Sequence, residues 1–138
     1  MNKLTALPFA ALLSLAAIAN AAAPESAAPA ADEHVARAVF TTGIQNREPV
    51  DTVTTLSTDH DRVYFFSELR GLGGQNVTHR WLYQGKAMGE VSFAVGGPRW
   101  RVWSSKTLLP KWSGEWQVEV VDGAGNTLDR ASFVYGKQ

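Results

Sequence analysis

From Val35 onward the chain alternates apolar and polar side chains with a period of two, the spacing that sends neighbouring residues of a β-strand to opposite faces. The alternation is sharpest over residues 115–121. There Trp116, Val118 and Val120 fall on one side and Glu115, Gln117 and Glu119 on the other, which predicts the first three buried and the last three exposed. Residues 62–69 (RVYFFSEL) set Val63 and Phe65 against Tyr64 and Phe66. Residues 76–84 put Val77, His79, Trp81 and Tyr83 on one face. Gln84-Gly85-Lys86 then reads as a tight turn into residues 87–95, with Ala87, Gly89, Val91, Phe93 and Val95 as the apolar face. Further strands are predicted at residues 35–42, at residues 50–56 after a break at Glu48-Pro49, and at residues 127–135, where Ala131, Phe133 and Tyr135 face one way.

The densest stretch is residues 96–106, GGPRWRVWSSK. Entered through Gly96-Gly97-Pro98, it sends Trp100, Val102 and Ser104 to one face and Arg99, Arg101, Trp103 and Ser105 to the other. One face is an apolar wall; the other sets guanidinium groups beside an indole. About eight short antiparallel strands, turn signals roughly every ten residues and no long helical period predict an immunoglobulin-like β-sandwich, with a small β-barrel as the alternative. Trp81, Trp100 and Trp116 are assigned to its core.

The first quarter of the sequence follows a different pattern. Met1-Asn2-Lys3, an apolar run over residues 4–19 and the small residues of Ala19-Asn20-Ala21 read as a bacterial signal peptide over residues 1–21, cleaved after Ala21. A retained anchor is the alternative; the run is short for a membrane span and holds Pro8. Residues 22–34 form an Ala/Pro-rich tether, with nothing large to bury. The β-domain then occupies residues 35–138. The expected compartment is the periplasm or the outside of the cell.

Charge and cysteine content narrow the function classes. Thirteen basic and thirteen acidic side chains balance, so no global field draws the chain to nucleic acid, and electrostatic recognition must come from a local patch. The sequence holds no cysteine, which removes thiol catalysis, thiolate metal sites and disulfide stapling. No cofactor is called for. His60 between Asp59 and Asp61 is poor ligand geometry in a single turn. Ser104-Ser105-Lys106 lacks the Ser-x-x-Lys spacing of a nucleophile pair. His79 reads as a histidine hydrogen-bonded to a neighbouring strand.

The aromatic and basic residues carry the remaining chemistry. Arg80, Arg99, Arg101, Trp103, Lys106 and His79 are the candidate ligand-binding residues, with Trp112 in a Pro-Lys-Trp-Ser-Gly loop as a second indole able to stack on a sugar ring. Trp103 has a plainer role as well, covered by the arginines in a cation–π arrangement. The expected function is a non-catalytic binding or interaction module for an envelope glycan, an anionic polymer or a protein partner. A hydrolase with a polar centre at His79 and Ser104 or Glu90, or a purely structural envelope protein, is the alternative.

Several blocks resemble a bacterial family known as domain of unknown function 2914: ARAVFTTGI at residues 36–44 with Arg47-Glu48-Pro49, YFFSEL at 64–69, THRWLYQGK at 78–86, GPRWRVWSSK at 97–106 and GEWQVEV at 114–120. The resemblance spans residues 35–136. It implies no activity, substrate or cofactor.

Overall fold

The computed structural model describes residues 34–136. The expected signal segment and all of the expected tether except His34 lie outside the described residues. His34 itself is tied to the domain: its carbonyl accepts the Arg70 backbone N–H at 2.9 Å.

Among the described residues ten strands follow in chain order: β1 Val35–Thr41, β2 Ile44–Gln45, β3 Glu48–Pro49, β4 Thr55–Leu56, β5 Arg62–Arg70, β6 Asn76–Tyr83, β7 Lys86–Ala94, β8 Arg99–Thr107, β9 Gly114–Val121 and β10 Thr127–Tyr135. They build a three-stranded sheet, β1-β5-β8, facing a five-stranded sheet, β4-β10-β9-β6-β7, with β2 and β3 as a small separate ladder. The chain starts in the first sheet and switches to the second, where β4 pairs with β10 in parallel. The β6–β7 and β9–β10 hairpins lie in the second sheet, while β5 and β8 lie side by side in the first. This strand-switching, two-sheet connectivity is an immunoglobulin-like β-sandwich, and no sheet among the described residues closes into a barrel.

The period-two pattern sets the core. Phe40, Phe65, Trp81 and Phe133 meet between the sheets, with Phe40 4.9 Å from Phe65 and 4.6 Å from Phe133 between ring centroids. Trp116, Val118 and Val120 are fully buried as the alternation requires. Of their neighbours only Glu115 is exposed; Gln117 and Glu119 are half-buried, because Arg80 and Arg130 fold over Glu119. Trp81 is buried, whereas Trp100 is only half-buried beside Gly96.

Three local features depart from the sequence reading. Residues 50–56 do not form one strand; a single bridge from Val53 to Phe40 and the short β4 replace it. Glu48-Pro49 is not a break but an edge strand pairing with β2, where Pro49 is tolerated. In β7 the pairing shifts between Trp81 and Leu82, so Met88 is an extra residue. Met88 therefore packs against the core while Ala87, read as apolar face, is exposed. The Gln84-Gly85 turn forms as expected, with φ of 49° and 83°, the doubly left-handed geometry of tight hairpins.

Candidate functional site

The outward face of the β1-β5-β8 sheet is laid out by register. Tyr64, Phe66, Glu68 and Arg70 of β5 point away from the core, because Val63, Phe65 and Leu69 point into it. Cross-strand pairing aligns Glu68 with Arg37 and Arg101, Phe66 with Val39 and Trp103, and Arg70 with Arg99. Successive rows stand about 7 Å apart along the strands.

Glu68 is the hub. Its side chain is only 3% exposed, and it takes Arg37 at 2.7 Å, Arg70 at 2.6 Å and Arg99 at 2.8 Å. A buried carboxylate is tolerated when its lone pairs are satisfied by charged donors. The Arg99 and Arg70 guanidinium groups, with Arg37 beside them, hold its carboxyl far below the usual carboxylate range. Without Glu68, Arg70 and Arg99 would be like charges opposed across two strands, a destabilising pairing.

A second carboxylate comes from β3. Asn46 and Arg47, both with positive φ (53° and 64°), make the two-residue turn that folds β3 back on β2. The loop behind it is held by Asp51, whose carboxylate accepts the Thr41 hydroxyl at 2.6 Å and the Thr42 hydroxyl at 2.6 Å. Glu48 is thereby placed over the sheet, where Arg37 binds both its oxygens at 2.8 and 2.9 Å and Arg101 adds a bond at 2.6 Å. Hydrogen bonds from Arg37 and then Arg101 pull the Glu48 carboxyl down to about 2. Arg37 also lies over the Phe66 ring, 4.9 Å from its centroid. The cation–π contact expected at Trp103 thus falls on its neighbour, and Phe66 is fully buried outside the inter-sheet core.

Four guanidinium groups on two carboxylates leave an excess of two positive charges. Around Glu68 the acid is inside and the bases are outside: the Arg70 and Arg99 side chains are 54% and 52% exposed over its 3%. Both use Nε and Nη2 on Glu68, so each Nη1 remains a donor with no partner among the described residues. Such fixed planar donors suit carboxylate or phosphate oxygens.

The six candidate residues from the sequence do not form one cluster. Arg99, Arg101 and Trp103 share this face, with Trp103 half-buried. Arg80 lies on the outer face of the other sheet, bound to Glu90 at 2.9 Å and Glu119 at 3.2 Å. Lys106 reaches across the open side of the sandwich to the Met88 carbonyl at 2.7 Å.

His79 is fully buried. It binds not its neighbouring strands but the opposite sheet, with Nε2 2.8 Å from Ser67 Oγ and Nδ1 2.7 Å from Ser104 Oγ, where the Trp81 indole N–H also donates at 3.1 Å. Desolvation pushes its pKa down to about 3. Glu90, the acid considered as its partner, points to the other face and holds Arg80. His60 is exposed, and no three His, Asp or Glu side chains converge as a metal set among the described residues.

Sequence reasoning missed Arg37, Glu48, Glu68 and Arg70. Glu68 and Arg70 sit two apart in β5, a same-face signal, but the partners come from β1, β3 and β8, and cross-strand register is not written locally.

No curated protein matches the sequence. Among solved structures, the CARDB domain of the PF1109 protein from Pyrococcus furiosus, crystallised in complex with di-metal ions, is similar with a TM-score of 0.44 and 8% identity, over 79% of this chain and 100% of that one. A family model matches residues 74–135, the run from just before β6 to the end of β10, which contains the His-Arg-Trp and Arg-Trp-Arg blocks. Over those residues the chain is similar to the family described as Protein of unknown function (DUF2914).

Proposed function

We propose that this chain is an exported, non-catalytic binding module of the bacterial envelope that holds an anionic polymer on the outer face of its three-stranded sheet. The observation that carries the reading is the inside-out ion network: a carboxylate 3% exposed, under guanidinium groups more than half exposed with donors to spare. A network serving the fold alone has no need of the excess charge. Trp103 and Tyr64, half-buried in the next rows of the face, add apolar ring surface beside the charge. The non-catalytic part is supported by the enclosure of the Ser104–His79 pair between the sheets, where Phe65 and Phe93 present ring edges at 4.8 and 4.9 Å.

Retention of the mature domain on immobilised polygalacturonate, against neutral dextran, tests the reading. Arg101→Ala and Trp103→Ala are each expected to weaken retention by roughly tenfold, the effect of losing about 1.4 kcal/mol of contact. Arg101→Ala is expected to flatten the salt dependence more, since it removes a charge and Trp103→Ala does not, and charge–charge attraction is screened over about 10 Å at 0.1 M salt. Equal retention on dextran, or unchanged retention per folded molecule in both variants, defeats it. Export is tested separately: intact mass of protein from the periplasmic fraction is expected to begin at Ala22, and a dominant membrane-bound species still carrying residues 1–21 overturns it.

A further inference from the structure

The arginine face ends at a cleft of about 400 Å³ lined by Arg62, Ser105, Lys106, Thr107, Leu109 and Trp112, a volume within the usual range for small-molecule sites. Three pieces of chain meet there: the start of β5, the end of β8 and the 3-10 turn Pro110–Trp112. Leu108 is buried and anchors the chain as it leaves β8, which turns Leu109 outward to 39% exposure. Trp112 is fixed in place. Its carbonyl accepts the Trp116 indole N–H at 2.9 Å, and its ring meets Trp116 edge-on at 6.1 Å, yet it stays half-exposed.

The cations of this cleft differ from those of the arginine face. Arg37, Arg70, Arg80, Arg99, Arg101 and Arg130 each pair with a glutamate. Arg62 is instead held by two neutral hydroxyls, Ser105 Oγ at 2.9 Å and Thr107 Oγ1 at 3.3 Å, and Lys106 by the neutral Met88 carbonyl. Neither has a carboxylate partner among the described residues. The cleft therefore combines two uncompensated, positioned positive charges with hydroxyls, one exposed leucine and one immobilised indole. Charge alone fits any anion, but the apolar surfaces are used only by a ligand with a flat apolar face next to its negative group.

We propose that this cleft is a binding site for a sugar ring carrying a carboxylate, the uronic acid class. The ring's C–H face meets Trp112 and Leu109, its carboxylate meets Arg62 and Lys106, and its hydroxyls meet Ser105 and Thr107. Ser105 and Thr107 continue the outward row of Arg99, Arg101 and Trp103, so cleft and arginine face lie on one strand, about 27 Å from end to end at 3.4 Å per residue. That continuity makes the polymer of the preceding section a chain of acidic sugars. This extension rests on the polymer reading; the cleft itself does not.

The test is a titration of the mature domain with galacturonic acid and, separately, with neutral galactose, followed by amide and indole NMR shifts. Saturable shifts of the Trp112 indole and Thr107 amide with galacturonic acid, absent with galactose, are expected. Arg62→Gln and Lys106→Gln should each weaken binding by about tenfold, while Arg130→Gln on the opposite sheet leaves it unchanged. An unperturbed spectrum outside the cleft verifies folding of both cleft variants. Equal binding of galactose, or no saturable shift at millimolar sugar, overturns the proposal. If galacturonic acid fails here while polygalacturonate is still retained, the cleft falls and the arginine face stands. If the sugar binds the cleft and the polymer is not retained, the reverse holds.

Discussion

Replacing Trp116 with alanine is expected to remove about 3–5 kcal/mol of folding stability, the range for emptying a large buried aromatic site. Trp116 is fully buried. Its ring stacks against Phe133 at 6.5 Å with 17° between planes, and Tyr83 packs at 4.9 Å on its cross-strand side. Alanine would lose this transfer energy, leave a cavity between two rigid sheets, and orphan the Trp112 carbonyl that the indole N–H now satisfies. With no cysteine in the chain, no disulfide offsets the loss. Urea titration of the variant measures it as a lowered midpoint at unchanged slope. The neighbouring Glu115→Ala, on the exposed side, is expected to stay within about 0.5 kcal/mol of the parent. A loss below about 1 kcal/mol for Trp116→Ala would mean that β9 presents its other face to the core.

That prediction could be framed from the sequence because a strand's faces follow from counting by two. Trp116, Val118, Val120, Phe133 and Tyr135 all fall where the count puts them, and so does the division of β8 between Val102 and Ser104 inside and Arg101 and Trp103 outside. The count fails where the backbone departs from its period. The bulge at Met88 moves one side chain of β7 across the sheet, and no glycine or proline at that residue marks it. The count is also silent about what lies on top of an outward face. Phe66 falls on the face opposite Val63 and Phe65, outside the core between the sheets, yet it is fully buried, because Arg37 from another strand covers it. The candidate site was legible to the same degree. Arg99, Arg101 and Trp103 were seen as one row, because they lie in one strand. Their glutamate partners were not, because Glu68 reaches them through the β5–β8 register and Glu48 through a left-handed turn at Asn46-Arg47. The grouping of Arg80 with that row has the same origin: type and charge are local, but sheet membership is not. Lys106 lies in β8 itself, at the alternate position that pairs with core-facing Val63, so the count by two already separates it from the row.

His79 makes the domain acid-labile, and the effect is large enough to isolate. The imidazole is enclosed by Ser67, Ser104, Phe65 and Phe93, and burial alone lowers its pKa to about 3 from an ordinary value of about 6.5. The neutral ring fits its surroundings, with one nitrogen donating to a serine oxygen and the other accepting a serine hydroxyl. The unfolded chain takes up a proton below about pH 6.5 and the folded one does not until about pH 3. Between those values the unfolded state binds more protons, so stability falls as pH falls. The stability is fully present above pH 6.5 and is lost progressively down to pH 3, at up to about 1.4 kcal/mol per pH unit and roughly 4–5 kcal/mol in total. The depressed carboxyls of Glu48 and Glu68 act in the same direction, but only below the ordinary glutamate range near pH 4.3. The window from pH 6.5 to pH 5 therefore belongs to His79. Urea midpoints of the parent domain are expected to drop by about 2 kcal/mol across that window. In His79→Gln, which keeps a donor and an acceptor but does not titrate, they should stay level from a lower starting stability. A parent domain equally stable at pH 7 and pH 5, or a slope that survives His79→Gln, would show that the ring is hydrated or charged in the folded state and that the seal between the sheets is not closed.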